Sequence, residues 1–80
     1  MGLVVTSPEL DAAIVEARGR WAIVRKYAPD KPPLVEAFRS NSSLTMSGED
    51  VARAAWARLD MHNGWAALID CEGKVIEMRA

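Results

Sequence analysis

One histidine and one cysteine occur in the 80 residues, His62 and Cys71, and they bound the side-chain chemistry on offer. A Cys–His nucleophile pair requires the two to meet, with a third group orienting the imidazole. Cys71 falls in an expected turn, Asp70-Cys71-Glu72-Gly73, and no neighbour in sequence activates its thiol. His62, Asp60, Asp70 and Glu72 could donate to a metal, but their spacing matches no established ligand pattern. A lone cysteine excludes an intrachain disulfide framework and any cysteine-based zinc site. The chain has no phosphate-cradling glycine loop, no Gly-x-Ser-x-Gly elbow and no His-Glu-x-x-His. The carboxylates of Glu49 and Asp50 are explained by a helix N-terminus, where negative charge is favoured. The expectation is a protein that is not an enzyme and takes no cofactor and no metal.

Charge is the next resource. Arg18, Arg20, Arg25 and Lys26 fall within nine residues, followed by Tyr27. As a surface patch they would suit an acidic protein partner or phosphates. The structural alternatives are a solvated strand edge, where cations discourage edge-to-edge pairing, and internal ion pairs to Glu9, Asp11 or Glu16. The net charge of -1 and the lack of an arginine–aromatic repeat or recognition-helix pattern argue against direct nucleic-acid binding. No run approaches the roughly 18 apolar residues of a membrane span. The first residues, Met-Gly-Leu-Val-Val-Thr-Ser-Pro-Glu, lack the basic and apolar segments of a secretory signal, so a cytoplasmic location is expected.

The elements that must carry these residues are legible in outline, and residues 1–80 are expected to form one compact domain. Ser7-Pro8-Glu9 is a helix start, with Ser7 as cap and Pro8 in the first turn. Leu10, Ile14 and Ala17, with Ala13 beside them, make a helical stripe, and Arg18-Gly19 a stop, predicting a helix over roughly 8–18. Residues 20–27 are read as a strand, with extension of that helix as the alternative, because Gly19 would cost about 1 kcal/mol inside a helix. Residues 28–33 form a proline-rich loop, and 34–40 a returning strand or a short helix. Ser47-Gly48-Glu49-Asp50 opens a second helix at near-capping-box spacing, with Val51, Ala55 and Leu59 as its buried stripe. Asn63-Gly64 closes it. Residues 65–70 and 74–78 form a hairpin, with Gly73 at the position of positive φ.

Laid side by side, the two halves repeat. Gly19-Arg20-Trp21-Ala22-Ile23-Val24 follows the first helix, and Gly64-Trp65-Ala66-Ala67-Leu68-Ile69 the second. The predicted fold is α+β, in the order α-β-β-α-β-β: an antiparallel sheet of about four strands with two helices on one face. A strand at Leu3-Val4-Val5 would make it ferredoxin-like with an extra hairpin strand. Neither 20–27 nor 65–70 shows the apolar–polar alternation of a sheet with one wet face. With both helices on one side, the other side needs cover, and a second copy of the chain is the economical source. Ala22, Val24, Ala66 and Leu68 are then the expected dimer interface. Cys71, at a hairpin tip, could form an intermolecular disulfide in air, one that a reducing cytoplasm makes incidental.

Length, near-neutral composition and absence of catalytic residues resemble those of small phage and mobile-element inhibitors of bacterial defence, the anti-CRISPR type. The resemblance implies a non-enzymatic inhibitor that occupies a surface of a large protein or ribonucleoprotein complex in a bacterial host. Arg18, Arg20, Arg25 and Lys26 are the expected partner-binding residues. An antitoxin-like regulator, which should show a DNA-binding element or a toxin-binding tail, and a small accessory subunit are the alternatives.

Overall fold

Proline suits the first turn of a helix because its missing N–H needs no partner there, and Pro8 opens α1 (Pro8–Ala17). The computed structural model describes residues 8–28, 30–39, 45–60 and 64–79. The expected cap Ser7 and the optional strand Leu3-Val4-Val5 lie outside the described residues, as does His62. After α1, Arg18 and Gly19 take φ 54° and 76°, and the chain turns into β1 (Trp21–Lys26). A strand, and not an extended helix, therefore follows Gly19. Then come β2 (Leu34–Phe38), α2 (Gly48–Arg58), β3 (Trp65–Ile69) and β4 (Val75–Arg79). The strands form one antiparallel sheet in the order β2-β1-β3-β4. The α+β fold with α-β-β-α-β-β order is the one expected.

Helix α2 starts where the sequence places it. Ser47 Oγ accepts from the Asp50 N–H at 3.1 Å, and the Ser47 N–H donates to Asp50 Oδ2 at 3.3 Å, a reciprocal capping box. Its end differs from expectation. The helix stops at Arg58, with Leu59 extended at φ -67° and ψ 127°, well before Asn63-Gly64. The cause is a cation from the far edge of the sheet. Arg79 Nη1 donates to the carbonyls of Trp56 at 2.8 Å and Leu59 at 3.1 Å, so these groups are satisfied without a further helical turn. Gly64 does hold positive φ, 80°, but for another reason. A Cβ there would overlap the Lys26 carbonyl oxygen, so glycine is required where β3 passes the end of β1.

The placement of the helices corrects the prediction. They lie on opposite faces of the sheet. Leu10 and Ala13 of α1 pack with Val24, Ala67 and Ile69, while Ala52 and Trp56 of α2 pack with Ile23, Phe38, Ala66 and Leu68. Register explains this. Each α-β-β unit sets its helix on equivalent positions, Val24 in the first and Leu68 in the second. However, β1 and β3 pair as Ala22↔Ile69, Ile23↔Leu68 and Val24↔Ala67, an offset that sends the equivalent positions to opposite sides, since a one-residue step exchanges faces.

The expected dimer interface is corrected by the same geometry. Ala22, Val24, Ala66 and Leu68 are each 0% exposed. Val24 lies under α1, with Ala22 on the same face, and Ala66 and Leu68 lie under α2. The chain's own second helix supplies the cover that a second copy was invoked to provide.

The edge strand β4 contains a bulge. Its register passes from Leu68↔Glu77 to Ile69↔Val75, leaving Ile76 without a partner. Val75 and Met78, three residues apart, consequently both pack on the α1 side. The hairpin before it is held by Asp70, whose Oδ1 accepts from the N–H groups of Glu72 and Lys74, both at 2.9 Å. Gly73 takes φ 82° there, as expected.

Candidate protein-binding surface

With β1 and β3 covered on both faces, the sheet's own exposed polar groups lie at its ends and edges. Strand β1 separates the four predicted partner-binding residues. Arg18 and Arg20 lie before its first residue, and Arg25 and Lys26 at its last, some ~17–20 Å away at strand rise. Alternation points Arg25 to the α2 side and Lys26 to the α1 side. Both are also engaged internally. Lys26 Nζ donates to both oxygens of Glu9 at 2.6 Å, with its side chain only 14% exposed. Arg25 reaches Glu36 at 3.7 Å and sits 5.8 Å from the Tyr27 ring centroid. The four cations therefore do not form one patch. The Lys26–Glu9 pair is the internal ion pairing that the sequence offered as an alternative.

Arg20 has a different set of neighbours. The last pair of the β1–β2 ladder is Trp21↔Phe38. One step beyond it, Arg20 and Arg39 both line a cleft of about 440 Å³, with Gly19, Trp21, Phe38, Gly48 and Cys71 completing its wall. Three features converge here: the end of the β1–β2 ladder, the first residue of α2 and the tip of the β3–β4 hairpin. The turn at Gly19 touches that tip, a Cβ at Gly19 falling 3.7 Å from the Cys71 carbonyl oxygen. Arg53 leans over the Trp21 ring at 5.2 Å and is held by Glu49 at 2.8 Å. Arg20 and Arg39 make no ion pair among the described residues.

Sequence reading missed Arg39 and Arg53. Arg39 stands alone in sequence, and only the pairing of β1 with β2 brings it beside Arg20. Arg53 reads as the solvent side of a helix, and its position over Trp21 follows from α2 crossing the β1–β2 end of the sheet.

Other polar side chains brace the scaffold. Trp56 Nε1 donates to Glu77 Oε2 at 2.6 Å, and Arg79 stacks on the Trp56 ring at 4.4 Å from its centroid. Cys71 is free and exposed at the hairpin tip, as expected. The metal set suggested by Asp60, Asp70 and Glu72 depends on His62, which lies outside the described residues. Among the described residues no group of three or more His, Cys, Asp or Glu side chains is placed to hold a metal ion, and no helix is long and apolar enough to cross a membrane. No protein-family model matches the chain, and no characterised protein or solved structure shows significant similarity to it.

Proposed function

We propose that the protein is a non-enzymatic binding module that inhibits a larger complex by occupying an acidic protein surface. An inhibitor of a bacterial defence complex, of the anti-CRISPR type and acting in the host cytoplasm, is its most concrete form. The observation that carries the reading is the cleft walled by Arg20 and Arg39. Like charges at neighbouring strand ends oppose folding. A partner carboxylate would offset that repulsion with charge-assisted hydrogen bonds. The scaffold suits such a role, because helices cover β1 and β3 on both faces and hold the end of the β1–β2 ladder in place for a partner.

The test uses purified bacterial RNA-guided nuclease complexes of several types. The wild-type protein should block target cleavage by at least one of them at near-equimolar ratio, and Arg20→Glu with Arg39→Glu should remove the block. Failure against the whole panel would overturn the defence role, and inhibition undiminished by the double substitution would overturn the surface. A homodimer, the other expectation from the sequence, has the sheet edges β2 and β4 to use in place of a face. Light scattering after gel filtration, with and without reductant, separates an edge-paired dimer from one held by Cys71.

A further inference from the structure

The arginine-walled cleft also restricts the chemistry of what it binds. Arg20 and Arg39 line the same cleft of about 440 Å³, together with Trp21 and the edge of the largely buried Phe38. Two arginines without an ion pair among the described residues, lining one cleft, suit a planar anion, since each guanidinium fork can donate two parallel N–H groups. The third arginine nearby is already neutralised, Arg53 being paired with Glu49 at 2.8 Å. Glu49 and Asp50 follow the lining residue Gly48, and Glu72 follows the lining residue Cys71. The chain's net charge of -1 offers no general attraction to a long polyanion, so a single carboxylate is the anion that suits these two arginines.

Resting on the binding-module reading above, we propose that this cleft is a carboxylate pocket. Its occupant is an aspartate or glutamate of the partner protein, next to an aromatic or large apolar residue that packs against the half-buried Trp21.

The probe is the capped dipeptide acetyl-Phe-Glu-amide, titrated at millimolar concentration into the 15N-labelled protein, with acetyl-Phe-Gln-amide as the uncharged control. The glutamate peptide should shift the amide resonances of Gly19, Trp21, Gly48 and Cys71 in a saturable way. The glutamine peptide should bind roughly tenfold more weakly or worse, the factor a charge-assisted hydrogen bond supplies. Arg20→Gln and Arg39→Gln should each weaken the glutamate peptide to the level of the control, while the melting temperature stays level or rises as the like-charge repulsion is relieved. Arg39→Lys, which keeps the charge and loses the fork, should fall between. That stability response separates a binding role from a structural one, because loss of a structural contact lowers the melting temperature.

Equal shifts from the two peptides, or unchanged binding in Arg39→Gln, would overturn the proposal. So would tighter binding of a thymidine dodecamer than of the glutamate peptide. If the peptide fails while Arg20→Glu with Arg39→Glu still abolishes inhibition of the complex, the binding module stands and the carboxylate pocket falls.

Discussion

Replacing Gly64 with alanine adds one methyl group where the start of β3 passes the end of β1, and Gly19 provides the control. The two glycines hold φ of 80° and 76°, a region where alanine costs about 1–2 kcal/mol. The conformational penalty is thus shared, and only the surroundings differ. A Cβ at Gly19 meets the Cys71 carbonyl oxygen at 3.7 Å, an ordinary contact. At Gly64 it would overlap the Lys26 carbonyl oxygen and lie 2.7 Å from that carbonyl carbon and 3.0 Å from Tyr27 Cα. These are backbone atoms. Lys26 is the ladder partner of Trp65, so the clash is relieved only by opening the central strand pair at that end.

Losing that terminal pairing adds roughly 1–3 kcal/mol. Gly19→Ala should therefore cost about 1–2 kcal/mol and Gly64→Ala roughly 2–5 kcal/mol, out of the ~4–12 kcal/mol expected for a domain of this size. Each kcal/mol is worth some ~4–8 °C of melting temperature here, so the two variants are well separated. Urea unfolding at 25 °C, followed by tryptophan fluorescence and circular dichroism, reads both. A Gly64→Ala protein no less stable than Gly19→Ala would refute the close approach of β3 to Lys26, and with it the argument for glycine at that position.

The cover on both faces makes Ala66→Asp and Ala67→Asp comparably damaging. Each would bury a charge under a different helix at a cost of several kcal/mol, and a variant that folds normally would show that its helix does not lie there. Arg79→Ala should lose about 1.5–3 kcal/mol in chemical denaturation, because its Nη1 bonds two carbonyls at the end of α2; Arg79→Lys should recover only part, because it lacks the guanidinium plane stacked on Trp56, and full recovery would refute a contribution from that stacking. The Lys26–Glu9 pair, half screened because the Glu9 side chain is 40% exposed, should give a coupling of about 0.5–1 kcal/mol in a double-mutant cycle of Lys26→Met and Glu9→Gln. That coupling should shrink in molar salt, and a value independent of salt would contradict the screening argument.

What could be read in advance was local. Ser47 with Asp50, and Asp70 with Gly73, form turns and caps from residues a few positions apart, and both appear in the structure as the sequence places them. Helix faces were slightly rotated. On α2 the fully buried positions are Ala52 and Trp56, with Val51, Ala55 and Leu59 half-buried, because Trp56 reaches across to Glu77 and draws its side of the helix onto the sheet. The end of α2 was not readable, since the group that terminates it, Arg79, is 20 residues from Leu59. Arg39 was missed for a related reason: its neighbour Arg20 is supplied by another strand.

The error about the faces is the most instructive, because the relevant signal was present. Strands β1 and β3 carry apolar residues at successive positions, Ala22-Ile23-Val24 and Ala66-Ala67-Leu68-Ile69, which demands cover on both sides. Two helices were available, and one per face satisfies that demand within a single chain. What local sequence does not contain is the register between β1 and β3, which no hairpin joins and which are separated by β2 and α2. Had those strands paired with an even offset, Val24 and Leu68 would share a face, both helices would crowd one side, and an apolar face would need a partner. The observed Val24↔Ala67 pairing places the two helices on opposite sides. The α-β-β repeat is thus kept in element order and helix contacts, while its two copies are inverted across the sheet. At the end where β1, β2 and α2 meet, Arg20 and Arg39 line one cleft with no ion pair among the described residues.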